Sequence, residues 1–498
     1  VATLEMDDAR ASVLMQPEAE RMVEDIRLLT IEEIGTAAWT KQHQSLEKLN
    51  MQAQICVMNQ ADEFVVEALI DHEKVPILIH DLLVTEAWKE KVLPLVQEEL
   101  AGAHYVKLYL IMYHESIVLG LLEKAFFTAT AVAAGGDLLV ELADYCYRRT
   151  VFLNNVDPQK IEPEHSNREE LKEELLKQTD VDRVEEQKIK IDFGAGIAAL
   201  TLLRFLAENA QSMPVSVLSR MLNEQDVLQT VIPLMDQPPW KRTRKGKTEK
   251  YNDGKWTEVG PDDYHRLTKT EAQVWLLINS LLLDSECRRR YEWTEQRKQT
   301  VMRLSKFFNE LLIDQLPVLQ DLRRMVETLA FQTPPNTTDA RSVVIEQLPE
   351  IRSRLLKSDW QGIAKVFRDR QMKQTPQELQ AEMSDLASMY DMLNIEEFME
   401  DPKCSVCGLP AEKRCSKCKM EWYCSRKCQV SAWKGHKSLC ETLCALPARP
   451  DDAGGAGAAT MASGVTQMTS GITQITNDAP GVKSILPSSR APKIQMLD

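Results

Sequence analysis

The sequence has few aromatic residues and a deficit of positive charge. Only 6% of its 498 residues are Phe, Trp or Tyr, and 75 Asp and Glu outnumber 60 Lys and Arg, which gives a formal net charge of -15. A protein that binds nucleic acid over its whole surface carries the opposite excess, because Lys and Arg neutralise the phosphates. Leu, Glu, Lys, Gln, Ala and Met, all strong helix formers, dominate instead. The composition favours a helical protein with no nucleic-acid partner.

Long apolar runs are also missing. The best candidates for a membrane span, Ala125–Val140 and Gly194–Ala207, are too short and are interrupted by a charge in each case. The first residues, Val1–Glu20, are acidic and have no apolar stretch of the kind found in a signal peptide. We therefore expect no membrane span and a reducing compartment, either cytoplasm or nucleus, where clustered cysteines bind metal rather than form disulfides.

The sequence lacks the common catalytic motifs. It has no P-loop, no Gly-rich dinucleotide fingerprint and no G-x-S-x-G segment. The histidines are scattered: His72, His80, His104 and His114 have no Cys, Asp or Glu neighbour at catalytic or metal-binding spacing, and we expect His43 and His114 to be structural or exposed. These absences predict a protein that is not an enzyme.

Apolar residues recur at helical spacing from about residue 20 to residue 395. In one stretch Ile117, Leu121 and Ala125 follow each other at intervals of four. Many helices of ordinary length, separated by short breaks at prolines, predict an all-α scaffold, with an armadillo-like superhelix as the expected form. Two irregular segments are expected within it: an exposed linker near 156–168 and a short hairpin near 248–259, whose turn is Asn252-Asp253-Gly254.

Three further regions complete the predicted organisation. Residues 1–19 are expected to be a flexible N-terminus, and residues 401–444 a small separate domain. After Cys444 the composition changes to Ala, Gly, Ser, Thr and Pro, which cannot bury enough apolar surface to offset the entropy of ordering. Residues 445–498 are therefore predicted to be a disordered tail. The basic run Lys241–Lys247 is either a nuclear-import or nucleic-acid patch or, more commonly for such a run, an exposed loop.

Eight of the eleven cysteines fall between Cys404 and Cys444. Seven of them form, with one histidine, four ligand pairs with spacings C-x2-C, C-x2-C, C-x3-C and H-x3-C. Four pairs make two closed tetrahedral zinc sites, which are structural rather than catalytic. So small a domain has little apolar core, and each zinc ion is expected to contribute about 10–16 kcal/mol of folding free energy. The eight ligands are Cys404, Cys407, Cys415, Cys418, Cys424, Cys428, His436 and Cys440.

The order of these pairs and the flanking residues, Tyr423-Cys424-Ser425 and Cys428-Gln429-x3-Trp433-x2-His436, closely resemble the MYND zinc finger family. The resemblance implies a cross-braced fold, in which one zinc ion is held by Cys404, Cys407, Cys424 and Cys428 and the other by Cys415, Cys418, His436 and Cys440. Cys444 lies outside the pattern.

The same resemblance implies a peptide-binding role. In the family a Gln and a Trp on the last helix bind proline-containing peptides, and they correspond here to Gln429 and Trp433. A Trp face is a large apolar contact surface that loses little entropy on binding. The alternative is that Trp433 only fills the small core. The finger has nine Lys or Arg against four Asp or Glu, which favours acidic protein partners; the plainer alternative is a solvated face.

The helical region resembles one group within the MYND proteins, the assembly factors for axonemal dynein arms. The resemblance is carried by Trp39-x-x-Gln42-His43, Lys74-Val-Pro76, Asp314-Gln-Leu-Pro317 and Glu346-Gln-Leu-Pro-Glu-Ile351. It implies a cytoplasmic adaptor or co-chaperone for inner and outer dynein arms of motile cilia, located in the cytoplasm or at centriolar satellites or assembly foci. The implied partners are a leucine-rich-repeat assembly factor, heat-shock chaperones and dynein chains as clients.

Two other functions are compatible with a MYND finger. A nuclear transcriptional corepressor would use the same finger to bind proline-containing peptides. A lysine methyltransferase would need a SET domain with an Asn-His-x-Cys segment, which this sequence does not contain. The adaptor is the function that we expect.

Overall fold

The structure is a computed structural model of the chain, and it describes residues 13–102, 104–162, 179–252, 254–260, 263–331, 349–374, 406, 413–415 and 422–433. Before the finger it is built mainly of helices. In chain order they are α1 Gln16–Glu24, α2 Ala37–Asn59, α3 Phe64–Asp71, α4 Val75–Lys91, α5 Leu93–Leu100, α6 Tyr105–Ala125, α7 Ala129–Ala134, α8 Leu139–Asn155, α9 Asp180–Glu208, α10 Val215–Ser219, α11 Val227–Asp236, α12 Lys269–Leu283, α13 Ser285–Arg290, α14 Glu295–Met302, α15 Glu310–Gln315, α16 Leu319–Phe331, α17 Ile351–Leu355 and α18 Trp360–Met372.

The predicted helical scaffold is confirmed, while its armadillo-like form stays a prediction. The first helix begins earlier than expected, because α1 starts at Gln16 inside the range 1–19 that was predicted to be flexible. Leu14 and Ala19 are buried there, and burial of apolar side chains holds the segment in place. Residues 1–12, 375–395 and the predicted disordered tail at 445–498 lie outside the described residues.

Local signals explain where many of the helices begin. Thr268 accepts a hydrogen bond from the backbone N–H of Glu271, whose carboxylate accepts one from the Thr268 N–H in return. This reciprocal capping box satisfies two backbone donors that a helix start would leave unpaired. Thr179 and Asp182 form the same arrangement at the start of α9. Pro76 occupies the first turn of α4, where no backbone N–H is needed.

Helix α9 lies at the centre of the scaffold and packs against α6, α8 and α12. Apolar residues from all four helices join one continuous core. Among the described helices, α6 is the one long and apolar enough to cross a membrane by length and composition, and 83% of its most apolar stretch is buried inside the fold. Its apolar character is therefore explained by its position between other helices.

A network of buried charges joins four of these helices. Lys89 of α4 donates a hydrogen bond to Asp192 of α9 at 2.5 Å and also contacts Glu115 of α6. Arg149 of α8 forms ion pairs with Glu115 at 2.6 Å and with Asp192 at 3.0 Å. Buried charges are tolerated only when they are paired and hydrogen-bonded. The network therefore makes the packing of α4, α6, α8 and α9 dependent on one set of contacts.

Two histidines also meet inside the scaffold. The Nδ1 atoms of His43 and His114 are 2.9 Å apart, and Nε2 of His114 lies 2.9 Å from a carboxylate oxygen of Asp81. His114 therefore has the acidic partner that its sequence neighbours do not provide. Trp39 stacks on His43 with ring centroids 5.0 Å apart, and both histidines are fully buried. These histidines were expected to be either structural or exposed, and both are buried, so they are structural.

The basic run is part of a three-stranded antiparallel sheet and is not an exposed loop. The strands are β1 Lys241–Arg244, β2 Lys247–Asn252 and β3 Lys255–Glu258, in the order β1-β2-β3. The second hairpin, β2–β3, coincides with the one expected near 248–259. Lys245 and Gly246 both have positive φ at the first turn, which is typical of a tight two-residue hairpin loop.

The charge of this run is used inside the fold. The Arg242 side chain is buried over the Trp256 ring, 3.9 Å from its centroid, and pairs with Glu249 at 2.6 Å. It also donates to the backbone carbonyls of Pro158 and Ile161 in the segment expected to be an exposed linker. The sheet therefore anchors the start of that segment, and residues 163–168 of the linker lie outside the described residues.

The chain returns to the N-terminal half of the scaffold before it reaches the finger. Helix α17 packs on α4, while α18 packs on α5 and on a short 3-10 helix at Ile31–Glu33. Arg370 near the end of α18 donates hydrogen bonds to the backbone carbonyls of Ile34 at 3.2 Å and Glu32 at 3.1 Å. The last described helix before the finger therefore ends beside the start of α2.

Candidate metal and peptide site

The described part of the predicted finger is a pair of short strands followed by a helix. Strands β4 (Lys413–Arg414) and β5 (Trp422–Tyr423) are antiparallel, with Lys413 opposite Tyr423. The helix, α19, is described over residues 426–433. Cys415 directly follows β4 and Cys424 directly follows β5, and because the strands are antiparallel these two cysteines lie at opposite ends of the short ribbon.

Cys424 and Cys428 are positioned as two ligands of one ion. Their sulfur atoms lie 3.6 Å apart. Two thiolates on a tetrahedral zinc ion, each about 2.3 Å from the metal, are separated by roughly 3.8 Å, so the observed distance fits shared coordination. The C-x3-C spacing achieves this across the start of the helix. These two sulfurs are half-buried, which leaves them accessible to a metal while shielding the completed site.

Ser425, between these two cysteines, sets the start of the helix. Its hydroxyl accepts a hydrogen bond from the Cys428 backbone N–H at 3.4 Å, and its backbone carbonyl accepts one from the Gln429 N–H at 3.2 Å. A serine in this N-cap position satisfies an otherwise unpaired donor. This capping role of Ser425 was not among the predictions from the sequence, although a Ser directly before a helical run is the signal for it.

The small core beside the cysteines is filled by Tyr423. Tyr423 and Cys415 are each 1% exposed, and Cys424, Cys428 and Ala432 pack around them. Cys415 thus belongs to the same small cluster as Cys424 and Cys428. Tyr423 therefore occupies the core position for which Trp433 was the candidate from the sequence.

Trp433 instead lies on the outer side of α19, with 38% of its surface exposed. Gln429, one helical turn before it, is half-buried. Residues four apart on a helix lie on the same face, so Gln429 and Trp433 form one continuous surface. Val430 beside them is 68% exposed, which adds apolar area.

The remaining predicted ligands, Cys404, Cys407, Cys418, His436 and Cys440, lie outside the described residues. Accordingly, no group of three metal-binding side chains is found within the described residues. The Cys424 and Cys428 sulfurs lie at a distance that fits a shared metal, and the assignment of the eight ligands to two sites stays a prediction.

Comparison with known proteins identifies this domain. Residues 404–440 match the MYND finger family. The chain therefore contains a MYND finger. The MYND finger family binds zinc, in agreement with the chemistry of the sulfur pair.

The rest of the chain also has a known relative. The chain is 27% identical to the zinc finger MYND domain-containing protein 10 homolog of Drosophila melanogaster over 445 residues, which are 84% of this chain and 96% of that protein. The resemblance predicted from the sequence, in the finger and in the helical region, is therefore confirmed.

Other relatives match only over short segments. A SET and MYND domain-containing protein of Dictyostelium discoideum is 51% identical over 39 residues, or 8% of this chain and 7% of that protein. Ubiquitin carboxyl-terminal hydrolase 19 of Arabidopsis thaliana is 42% identical over 69 residues, or 13% of this chain and 10% of that protein. The chain thus spans a small part of these two relatives, and their names carry no argument about its helical scaffold. The comparison with solved structures returned no match.

Proposed function

We propose that this chain is a non-enzymatic cytoplasmic adaptor for the preassembly of inner and outer axonemal dynein arms, needed for motile cilia. A MYND finger together with similarity along most of the chain to another MYND-finger protein indicates a protein-interaction adaptor. The dynein role is supported by the resemblance of the helical region to dynein arm assembly factors. Cytoplasmic or satellite-associated localisation follows from the same resemblance.

The finger holds two zinc ions in this proposal. The sulfur distance between Cys424 and Cys428 supports one shared ion, and the eight ligands at 404–440 provide for a second. Cys404 and Cys407 complete the first site, and Cys415, Cys418, His436 and Cys440 form the other. Both sites are closed by protein ligands, so the metal stabilises the fold and activates no water.

The finger captures its partner through Gln429 and Trp433. The observation that carries this assignment is the contrast in burial between Trp433, which is 38% exposed, and Tyr423, which is 1% exposed. In the described part of the finger Tyr423 and Cys415 form the core, and Trp433 keeps part of its surface exposed toward a peptide. A leucine-rich-repeat assembly factor is the partner that we propose, with heat-shock chaperones and dynein chains joining through the complex.

The energetics give distinct expectations for the two residues. Removal of a central aromatic anchor commonly costs ~2–4 kcal/mol of binding free energy, which is roughly a 30- to 1,000-fold weaker complex. Gln429→Ala should do less, since one hydrogen bond contributes about 0.5–1.5 kcal/mol. Neither side chain is a predicted zinc ligand, so zinc content should stay unchanged in both variants.

Affinity purification of the full chain from ciliated cells tests the proposal. The parent is expected to retain dynein chains, chaperones and the leucine-rich-repeat factor, and Trp433→Ala to lose that factor. Phe331→Ala is the matched control, because Phe331 is an aromatic residue of the scaffold that is 93% exposed. Retention of chromatin proteins in place of dynein chains would support the corepressor. Equal capture by Trp433→Ala and the parent would show that this surface is not the binding site.

A further inference from the structure

The first helix of the scaffold presents an apolar surface that no described element covers. Helix α1 packs its buried residues Ala19 and Val23 toward α3. On its outer side Met15 is 70% exposed. A shallow, open depression of about 550 Å³ lies there, lined by Met15, Pro17, Glu18, Arg21, Met22 and Asp25. Leu28, just beyond the helix, is 53% exposed. The α1 face is the surface formed by Met15, Pro17 and Met22 together with a rim of Glu18 and Asp25.

The rim of the α1 face is negatively charged. Helix α1 and its C-cap carry Glu18, Glu20, Glu24 and Asp25 against the single cation Arg21, and all five are exposed. Within the described ranges Glu18, Glu24 and Asp25 form no salt bridge, while Glu20 lies 3.9 Å from His72. The Lys74 ammonium donates to the backbone carbonyls of Glu24 and Ile26 at the end of the helix, so the carboxylates are in excess over the nearby cations but are not alone. Exposed apolar residues beside an excess of carboxylates form a surface that fits an apolar and cationic partner.

The MYND finger has the complementary surface. Helix α19 exposes Arg426, Lys427, Val430 and Trp433, which recur three and four residues apart and therefore share one side of the helix. The finger as a whole has nine Lys or Arg against four Asp or Glu at 401–444, whereas the whole chain has a net charge of -15. Its charge is opposite to that of α1, and its exposed apolar residues match the apolar centre of the α1 face.

The path of the chain places the finger within reach of this surface. Helix α18 ends beside Ile34 and Glu32, at the start of α2. The α1 face lies beside a later part of α2, because the Gln52 side chain accepts hydrogen bonds from the backbone N–H groups of Val13 and Leu14, next to Met15. The distance from the end of α18 to the α1 face is therefore close to the length of α2 up to Gln52. Fifteen residues of α2 separate Ala37 from Gln52, a rise of about 23 Å.

The residues between α18 and the finger are numerous enough to cover that distance. The segment from Thr375 to Lys403 contains 29 residues. A coil of this length has a root-mean-square span of about 30 Å, and a continuous helix would be about 44 Å long. In either form the finger remains tethered near α1, at an effective concentration on the order of millimolar.

From these observations we propose that the finger of the same chain docks on the α1 face through Arg426, Lys427, Val430 and Trp433. The interaction is intramolecular, and it pairs the cations of α19 with Glu18 and Asp25. Docking covers Trp433, so a partner must displace the finger from α1 before it can bind. This regulatory consequence rests on the proposed peptide-binding role, whereas the docking itself does not.

A cleavable form of the full chain tests the docking without any partner. A protease site is inserted between Thr375 and Lys403, the purified chain is cut, and the fragments are separated by gel filtration. The cut finger should remain with the scaffold at 50 mM salt and dissociate at 500 mM salt, where charge attraction is screened. Separation of the fragments at low salt, together with no crosslink from position 15 to the finger in the uncut chain, would overturn the proposal.

Charge reversal locates the contact. Glu18→Lys with Asp25→Lys should weaken retention of the cut finger at least about tenfold, because attractive contacts become repulsive. Arg426→Glu with Lys427→Glu should do the same, and combining the four changes should restore retention. The matched control is Asp321→Lys with Glu327→Lys on the exposed side of α16. Equal retention in the α1 variant and this control would place the finger elsewhere and overturn the assignment.

Photocrosslinking and partner capture complete the test. A photocrosslinking amino acid in place of Met15 should link to finger peptides of the same chain, whereas one in place of Phe331 should not. Crosslinks exclusively between different chains would overturn the intramolecular arrangement. In the affinity purification described above, Glu18→Lys with Asp25→Lys should raise partner capture severalfold. Unchanged capture would overturn the regulatory role, while loss of capture by Trp433→Ala tests the peptide site independently.

Discussion

The Phe367 ring meets the Trp88 ring edge to face, with centroids 5.2 Å apart and an interplanar angle of 70°. This contact joins α18, the last described helix before the finger, to α4 in the N-terminal half. Arg352 of α17 adds an ion pair to the buried carboxylate of Glu86 at 3.0 Å and another to Glu90 at 2.8 Å. The returning helices are thus held by apolar contacts, of which this ring pair is one, and by charges on the same helix of the scaffold.

Truncation of this aromatic contact should loosen the returning helices. Phe367→Ala removes a side chain that is 3% exposed, and such a change typically costs about 3–5 kcal/mol of unfolding free energy. Val366→Ala, at a neighbouring position that is 55% exposed, should stay within about 0.5 kcal/mol of the parent. Urea denaturation and hydrogen exchange of α17 and α18 measure the two effects. Equal stability of both variants would show that α18 does not depend on this packing.

The buried charge network should be sensitive to loss of a single member. Lys89→Met keeps the length of the side chain but leaves Glu115 and Asp192 with one cation fewer in a buried site. Removing one partner of a buried ion pair costs about 3–5 kcal/mol, because the remaining charge stays desolvated. Lys41→Met, at an exposed position of α2, is the matched control. A loss no larger than that of the control, measured by chemical denaturation, would contradict the proposed importance of the network.

The same network predicts a dependence of stability on acid. Burial alone would raise the pKa of Asp192, but Lys89, Arg149 and Lys188 outweigh it and hold the pKa below its usual value. A carboxylate with a lower pKa in the folded state stabilises the protein above its unfolded pKa, near 3.9, and this contribution is lost as pH falls through the folded pKa. Unfolding free energy should therefore decline as the pH is lowered below about 5.

Two asparagine variants separate the contribution of Asp192 from that of other carboxylates. Asp192→Asn should be less stable than the parent at pH 7 and should lose less stability on acidification, because it has no proton to bind. Asp180→Asn changes an exposed carboxylate on the same helix and should follow the pH dependence of the parent. Denaturation midpoints between pH 7 and pH 3 provide the measurement. Identical slopes for Asp192→Asn and the parent would exclude Asp192 as a source of the acid sensitivity.

Zinc content should report the two sites separately. The parent is expected to contain about two zinc ions by the count of eight ligands at four per ion. Cys424→Ser should reduce this number by one or more, since its sulfur lies 3.6 Å from that of Cys428. Cys444→Ser is the control and should leave the metal content unchanged. Elemental analysis of the purified full chain decides between these outcomes, and an unaltered zinc content in Cys424→Ser would contradict the assignment of that ligand.

Helices and the finger were the parts of this protein that the sequence determined by itself. Helical periodicity and capping residues such as Thr268 and Glu271 act within one or two turns, so their effect can be read from neighbouring positions. The finger is equally local, because pairs such as Cys424 and Cys428 need only a short spacing to reach one ion. The sequence did not show which aromatic residue of the finger is buried, because Tyr423 and Trp433 could each fill a small core.

Only the tertiary structure decided the partners of polar groups that lie far apart in the sequence. His43 meets His114, and Lys89 meets Asp192, over separations of 71 and 103 residues. The return of α18 to the start of α2, marked by the hydrogen bond from Arg370 to Ile34, spans 336 residues. Helical periodicity states which side of a helix is buried but not which helix covers it. Those choices were made by the packing of the whole scaffold, because a buried charge is stable only where its partner also becomes buried.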